Sequence, residues 1–194
     1  VGDAKNILGQ LIEDINKLPD TAEWLKTIES WKKKYPLKYQ DRKDIIKPQY
    51  VVEQIYEATK GNAIITTEVG QNQMWAAQFY KFTKPRTMLS SGGLGTMGYG
   101  FPAAIGAQIA KPNELVFVID GDGSFEMTHQ DLITAVNNRL PIKIAIFNNG
   151  FLGMVRQWQQ LFFKKRYSQS ILRQQPDYVK IAEASGAVGF RATK

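Results

Sequence analysis

Apolar positions along this chain follow two different periods, and the change from one to the other falls near residue 60. Ile7, Leu8, Leu11, Ile12, Ile15 and Leu18 are three or four residues apart, which predicts a helix over 4–18. Pro19-Asp20-Thr21 ends that helix and caps a second one through Trp24, Leu25, Ile28 and Trp31. Residues 32–47 are polar, contain Pro36 and read as a linker or surface arm. A third helix opens at Lys47-Pro48 and places Val51, Val52, Ile55 and Tyr56 along one side, with the proline in its first turn, where the missing N–H is no loss.

Beyond Gly61 short β-branched runs alternate with helical stretches. Strands are predicted at 63–67, 87–89, 115–120 and 142–147, with helices at 70–80 and 102–110 between them. A helix through Leu132, Ile133 and Val136 follows the third strand, and one through Met154, Trp158 and Leu161 follows the fourth. A helix over 178–184 and a strand over 187–190 close the chain. Strands alternating with helices predict an α/β fold, a parallel sheet with helices on both faces, preceded by a helical and linker segment. The expected division is 1–46 as the end of a preceding domain with its connection, and 47–194 as the α/β domain. The chain opens on Val1-Gly2 and closes at Lys194 just after the last expected strand, so it is expected to be a piece of a longer protein.

Two of the predicted strands end in the residues that carry chemistry. Gly121-Asp122-Gly123 stands directly behind Leu115–Ile119, and Asn148-Asn149 directly behind Ile142–Phe147. A parallel pair brings both ends to the edge where open α/β sheets bind ligands. There the Asp122 carboxylate and the Asn149 amide oxygen could hold a small hard cation, and the glycines let backbone N–H groups close on a phosphate. Ser124 and the start of the following helix add donors and a positive dipole end for an anion.

Composition narrows the alternatives. Of 194 residues, 43% are hydrophobic and 22% charged, which suits one globular α/β domain. No apolar run is long enough to span a membrane, and nothing at the N-terminus has the form of a signal peptide, so no membrane partner is expected; the lack of cysteine leads to the expectation of a cytoplasmic location. The absence of cysteine excludes thiol nucleophiles and thiolate zinc. The single histidine, His129, argues against a histidine metal site and reads as packing or surface. A net charge of +7 raises the question of nucleic acid. The dense basic runs, Lys32-Lys33-Lys34 and Lys164-Lys165-Arg166, lack any recognition motif and read as solvated surface, so no nucleic-acid partner is expected.

A rival reading rests on Gly93-Leu94-Gly95-Thr96-Met97-Gly98, a G-x-G-x-x-G string between a strand and a helix. With Asp120 at the end of the next strand it has the layout of a Rossmann dinucleotide-binding turn whose acid meets a ribose hydroxyl. That reading leaves Asp122 and Asn149 without a role.

Gly121-Asp122-Gly123 through Asn148-Asn149 resembles the signature of thiamin-diphosphate enzymes at the spacing that family uses. Glu68–Trp75, Ser91–Gly98 and Gly153–Gln159 together look like the catalytic large subunit of the acetolactate (acetohydroxyacid) synthase family, and residues from about 47 onward resemble its C-terminal cofactor-binding domain. The resemblance implies thiamin diphosphate held through Mg2+, with Asp122, Asn149 and the Phe151 carbonyl as metal ligands. It implies that Val69, Gly70, Gln71, Gly123 and Ser124 meet the diphosphate, with Gly121 also in the cofactor set. Gly95 and Met97 would meet the aminopyrimidine, Met97 as a wedge that bends the cofactor. Asn72 and Met154 complete the cofactor set, and Met154 with Trp158 would line the substrate entrance. Asn72 stands where family members often carry histidine, and an amide can donate a hydrogen bond there without titrating near neutrality.

The same resemblance implies an enzyme that decarboxylates pyruvate and adds the resulting two-carbon unit to pyruvate or 2-ketobutyrate, toward branched-chain amino acids. FAD is implied in the full-length enzyme, with a homodimer or tetramer and a possible regulatory small subunit. No catalytic residue is expected in this stretch: the family's activating glutamate belongs to the N-terminal domain of a neighbouring subunit, and neither Glu68 nor Glu126 replaces it. The alternatives are another thiamin-diphosphate enzyme, of the pyruvate oxidase or glyoxylate carboligase type, or the dinucleotide-binding module.

Overall fold

A computed structural model describes residues 1–15 and 19–193; Leu18, expected to close the first helix, and Lys194 lie outside the described residues. The chain divides into two compact units, Val1–Lys38 and Tyr39–Lys194. In the first, α1 (Ala4–Asp14) begins where the Asp3 carboxylate accepts the Asn6 N–H at 3.1 Å, an N-cap that satisfies one free donor of the first turn. α2 (Ala22–Lys34) runs through all three lysines assigned above to the linker. Their charges sit in the last turn, where the helix dipole favours cations. Trp24 and Trp31 meet edge to face across α2, with ring centres 5.5 Å apart.

In the second unit, the alternation of side chains along each strand decides the architecture. α3 (Pro48–Thr59) leads to β1 (Ala63–Thr67), followed by α4 (Gln71–Phe79), β2 (Met88–Ser90), α5 (Gly100–Ala110) and β3 (Leu115–Gly121). The strands β1, β2, β3 and β4 (Lys143–Phe147) form one sheet in the order β2-β1-β3-β4, with every pairing parallel. Phe117 and Ile119 of β3 join Ala63 and Ile65 of β1, and Ala145 and Phe147 of β4, in one core. Val116 and Val118 join Ile64, Ile144 and Ile146 in the other. That is the period of two a pleated strand imposes, and because both faces are apolar both must be covered. Val52 and Ile55 of α3 with Ala76 of α4 close the first core. Phe101 and Ala104 of α5, Phe125 of α6 (Asp122–Thr128), and Leu132 and Ala135 of α7 (Leu132–Asn137) close the second.

Two local expectations change. The single helix expected after the third strand is α6, a 3-10 turn over His129–Asp131, and α7. His129 sits in that turn with its ring beside Phe125, and the Glu126 carbonyl lies 3.3 Å from its Nδ1. Residues 187–190 form no strand: Val188 and Phe190 are exposed, and no described strand pairs with them. The second unit starts at Tyr39. The Tyr39 hydroxyl donates to Glu53 of α3 at 2.5 Å, and its ring packs on Phe79 of α4.

Candidate functional site

Parallel pairing sends the ends of β1, β3 and β4 to one edge. Thr67 lies opposite Ile119, and Gly121 opposite Phe147, so the residues that follow all emerge together. There they surround a cavity of about 750 Å3. Val69, Gly70, Gln71 and Asn72 reach it from the start of α4, and Gly95 and Met97 from the turn before α5. Gly121, Asp122, Gly123 and Ser124 line it at the junction of β3 and α6, and Asn149 and Phe151 in the loop after β4. Met154 and Trp158 line it from α8 (Gly153–Phe162). Every residue named from the sequence for cofactor, metal or substrate therefore faces one cavity.

Small residues make that convergence possible. Gly70 has φ 149°, and a Cβ there would stand 2.9 Å from the Asn72 side-chain oxygen. A Cβ at Gly123 would come within 3.0 Å of Leu152 and 3.2 Å of Leu172. Side-chain bonds then tie the loops together. Ser124 Oγ donates to the Val69 carbonyl at 2.9 Å, joining α6 to the end of β1. The buried Asn72 donates from Nδ2 to the Ile119 carbonyl at 3.4 Å, so its donor serves the link between α4 and β3.

Asp122 is almost fully buried, 2% exposed. Its Oδ1 accepts the Gly123 N–H at 3.0 Å, and its Oδ2 accepts the Gly150 N–H at 2.7 Å together with Nε2 of Gln175. Asn149 turns its Oδ1 back to the Phe151 N–H at 3.0 Å. Each Oδ1 thus retains a free lone pair, because a carboxylate or amide oxygen accepts two bonds. Oxygens of this type, with backbone carbonyls such as that of Phe151, are the donors a hard divalent cation takes. Among the described residues no cluster of three or more His, Cys, Asp or Glu could bind a metal by itself. A cation here would therefore draw on amide and carbonyl oxygens, and on oxygens of a ligand. The residues fit Mg2+ with a diphosphate.

Two further carboxylates are buried next in sequence to the lining residues Val69 and Gly121. Glu68 is fully buried and accepts the N–H groups of Gly98 (2.8 Å), Gly100 (2.6 Å) and Phe101 (3.2 Å). Burial pushes its carboxyl above the ordinary range, against the pull of those donors. Asp120 is equally buried; its Oδ1 accepts the Gly121 N–H at 2.7 Å and its Oδ2 has no partner. Burial first, then the nearby charges of Glu68 and Asp122, hold it well above the usual carboxylate range. The dinucleotide reading fails on this residue. Asp120 has no exposed surface for a ribose, and β3 does not neighbour β2, the strand that feeds the G-x-G-x-x-G turn.

The sequence did not single out Trp75, Phe147, Leu152 and Arg166 as lining residues, nor Gln175 as a partner of Asp122. Gln159 also lines the cavity and straps a loop to α8: its Nε2 donates to the Ser168 carbonyl at 2.7 Å, and its Oε1 accepts Ser170 Oγ at 2.8 Å. Trp75 and Gln159 had a signal, since they close the Glu68–Trp75 and Gly153–Gln159 strings.

A parallel α/β sheet with a glycine-lined cavity at its strand ends has the class of site that open α/β sheets use for ligands. Residues 68–194 match the family described as thiamine pyrophosphate enzyme, C-terminal TPP binding domain, and the chain belongs to that family. It is 48% identical to the acetolactate synthase large subunit of Corynebacterium glutamicum, over 100% of this chain and 32% of that protein. It is 45% identical to the acetolactate synthase isozyme 3 large subunit of Escherichia coli, over 98% of this chain and 34% of that protein. It is 48% identical to the mitochondrial acetolactate synthase catalytic subunit of Saccharomyces cerevisiae, over 100% of this chain and 29% of that protein. The chain spans about a third of the length of these relatives.

Proposed function

We propose that this chain is the cofactor-binding part of an acetolactate synthase catalytic large subunit, with residues 47–194 as its thiamin-diphosphate domain. The observation that carries the reading is the bond from the Gly150 N–H to Asp122 Oδ2, which brings the loops of Asp122 and Asn149 to one place. Asp122, Asn149 and the Phe151 carbonyl hold Mg2+. Val69, Gly70, Gln71, Gly123 and Ser124 hold the diphosphate, while Gly95 and Met97 orient the aminopyrimidine.

When bound, the cofactor supplies an electron sink for decarboxylating a 2-keto acid. This chain contributes position and dryness. The apolar side chains of Met97, Leu152 and Met154 exclude water from the cavity. Gln71, held by the Gln157 side-chain oxygen at 2.8 Å, fixes the start of α4 against α8. Trp158, half exposed on α8, borders the entrance for pyruvate and for the acceptor, pyruvate or 2-ketobutyrate.

Neither Glu68, spent on three backbone donors, nor Glu126, which accepts the Tyr178 hydroxyl at 2.8 Å, is free to activate the cofactor. The activating glutamate is assigned to a neighbouring subunit, and this chain by itself does not turn over pyruvate. A homodimer or tetramer, FAD in the full-length enzyme, a regulatory small subunit and a cytoplasmic site complete the reading. Among the described residues no helix is long and apolar enough to cross a membrane.

Calorimetric titration tests the reading. Thiamin diphosphate binds in the presence of Mg2+ and fails to bind in EDTA, whereas metal-independent NAD binding contradicts it. Acetolactate formed by the purified chain would overturn the assignment of the activating group to another subunit.

A further inference from the structure

Glu68 occupies an unusual position for a carboxylate. It follows β1 directly, is fully buried, and spends both oxygens on the backbone of a turn thirty residues later. Oε2 takes the Gly98 N–H, and Oε1 takes those of Gly100 and Phe101. The last two are otherwise unsatisfied donors of the first turn of α5, which gives the carboxylate a helix end to neutralise it. The chains approach so closely that a Cβ on Gly100 would lie 2.6 Å from the Thr67 carbonyl carbon and 2.7 Å from the Glu68 nitrogen.

The turn held in this way carries Gly95 and Met97. At its near end the Thr96 N–H donates to Ser91 Oγ at 3.0 Å; at its far end the anchor is Glu68. Gly98, with φ 85°, also lies against α6, where a Cβ would meet Met127 and Thr128 at 3.0 Å. The direction in which Met97 enters the cavity therefore depends on where Glu68 pins Gly98. The diphosphate end has separate anchors, Ser124 on the Val69 carbonyl and Gly150 on Asp122, and neither uses the Glu68 side chain.

We infer that Glu68 is a positioning residue that shapes the Gly95–Gly98 turn for the ring end of the cofactor and leaves the diphosphate end untouched. The inference rests on the cofactor reading above and separates two halves of one site. A glutamine at this position cannot reproduce the bond set. Its single oxygen can serve Gly98 or the pair Gly100 and Phe101, and its NH2 then faces a backbone N–H. An aspartate keeps both acceptors on a stem one methylene shorter.

The test compares two ligands on the full-length protein. Dissociation constants for thiamin diphosphate and for inorganic pyrophosphate, both with Mg2+, are measured for the parent, Glu68→Gln and Glu68→Asp. In Glu68→Gln, thiamin diphosphate weakens by about ten-fold or more, the range seen when a supporting hydrogen bond behind a ligand contact is lost, while pyrophosphate changes by less than about two-fold. Glu68→Asp recovers part of the loss. Retained pyrophosphate binding also shows that the variant folds. Equal weakening of both ligands in both variants, or no weakening of either, overturns the inference. A parent that binds neither ligand with Mg2+ overturns the cofactor reading itself, a result distinct from any variant effect.

Discussion

The backbone N–H of Gly150 donates to Asp122 Oδ2 across 2.7 Å, so the loop after β4 is fastened to the carboxylate at the end of β3. The two strands are neighbours in the sheet, and Gly121 is paired with Phe147 at their common end. Asp122 is thus fixed by its neighbours before any cation arrives, which lowers the ordering cost of binding one. Asp122→Asn removes the charge at nearly constant size. Metal-dependent affinity for thiamin diphosphate falls by about a hundred-fold or more, above the usual effect of losing a supporting contact. Calorimetry with and without Mg2+ measures this, and an unchanged affinity removes Asp122 from the ligand set.

Gly100→Ala tests how tightly α5 is seated on β1. The added carbon would meet backbone at 2.6–2.7 Å, which cannot give way as a side-chain tip can. Overpacking of this kind costs about 1–3 kcal/mol or more. The urea midpoint of unfolding falls accordingly; a midpoint equal to that of the parent contradicts the close approach.

Asp120 gives a pH dependence of definite sign. Its folded pKa is raised above an unfolded value of about 3.9, by burial and by the charges of Glu68 and Asp122. The proton is therefore held more tightly in the folded state. The associated stability is complete below the unfolded pKa and is lost as pH rises through the folded one. Glu68, also raised, acts in the same direction. In EDTA, Asp120→Asn gains stability relative to the parent as pH is raised from about 4 upward. Urea unfolding across that range checks it, and a parent-to-variant difference independent of pH contradicts it.

Trp158 separates substrate contact from folding. It is 57% exposed and meets Phe162 edge to face at 6.1 Å. Trp158→Ala changes stability by no more than about 0.5 kcal/mol, as for other exposed sites. In the full-length protein it raises KM for the 2-keto acid. Steady-state kinetics beside a thermal melt distinguish the two, and an unchanged KM removes Trp158 from the entrance.

The parts legible in the sequence are those with strong periodicity. Ile64, Val116, Val118, Ile144 and Ile146 on one face of the sheet, and Ile65, Phe117 and Ile119 on the other, marked three strands buried on both faces. That pattern fixes a parallel sheet, and a parallel sheet fixes where Asp122 and Asn149 emerge. What stayed hidden depends on tertiary context. Residues 122–128 form a helix although they open on Asp-Gly-Ser, a turn-like string, because β3 feeds directly into α6 and Phe125 anchors it in the core. Asp120 looked available for a ribose, since no local signal shows that a strand end is buried. Val188 and Phe190 alternate like strand residues, yet alternation makes a strand only where a neighbour pairs with it. The bonds of Glu68 and Gln175 span thirty residues or more, beyond the reach of any local pattern.

The most direct test is a crystal structure of the full-length protein grown with Mg2+ and thiamin diphosphate. The account predicts one Mg2+ with an Asp122 carboxylate oxygen, Asn149 Oδ1 and the Phe151 carbonyl each about 2.1 Å away, and diphosphate oxygens completing the shell. An ion bound elsewhere, or a diphosphate seated with Asp122 and Asn149 both outside the metal's coordination shell, would contradict it.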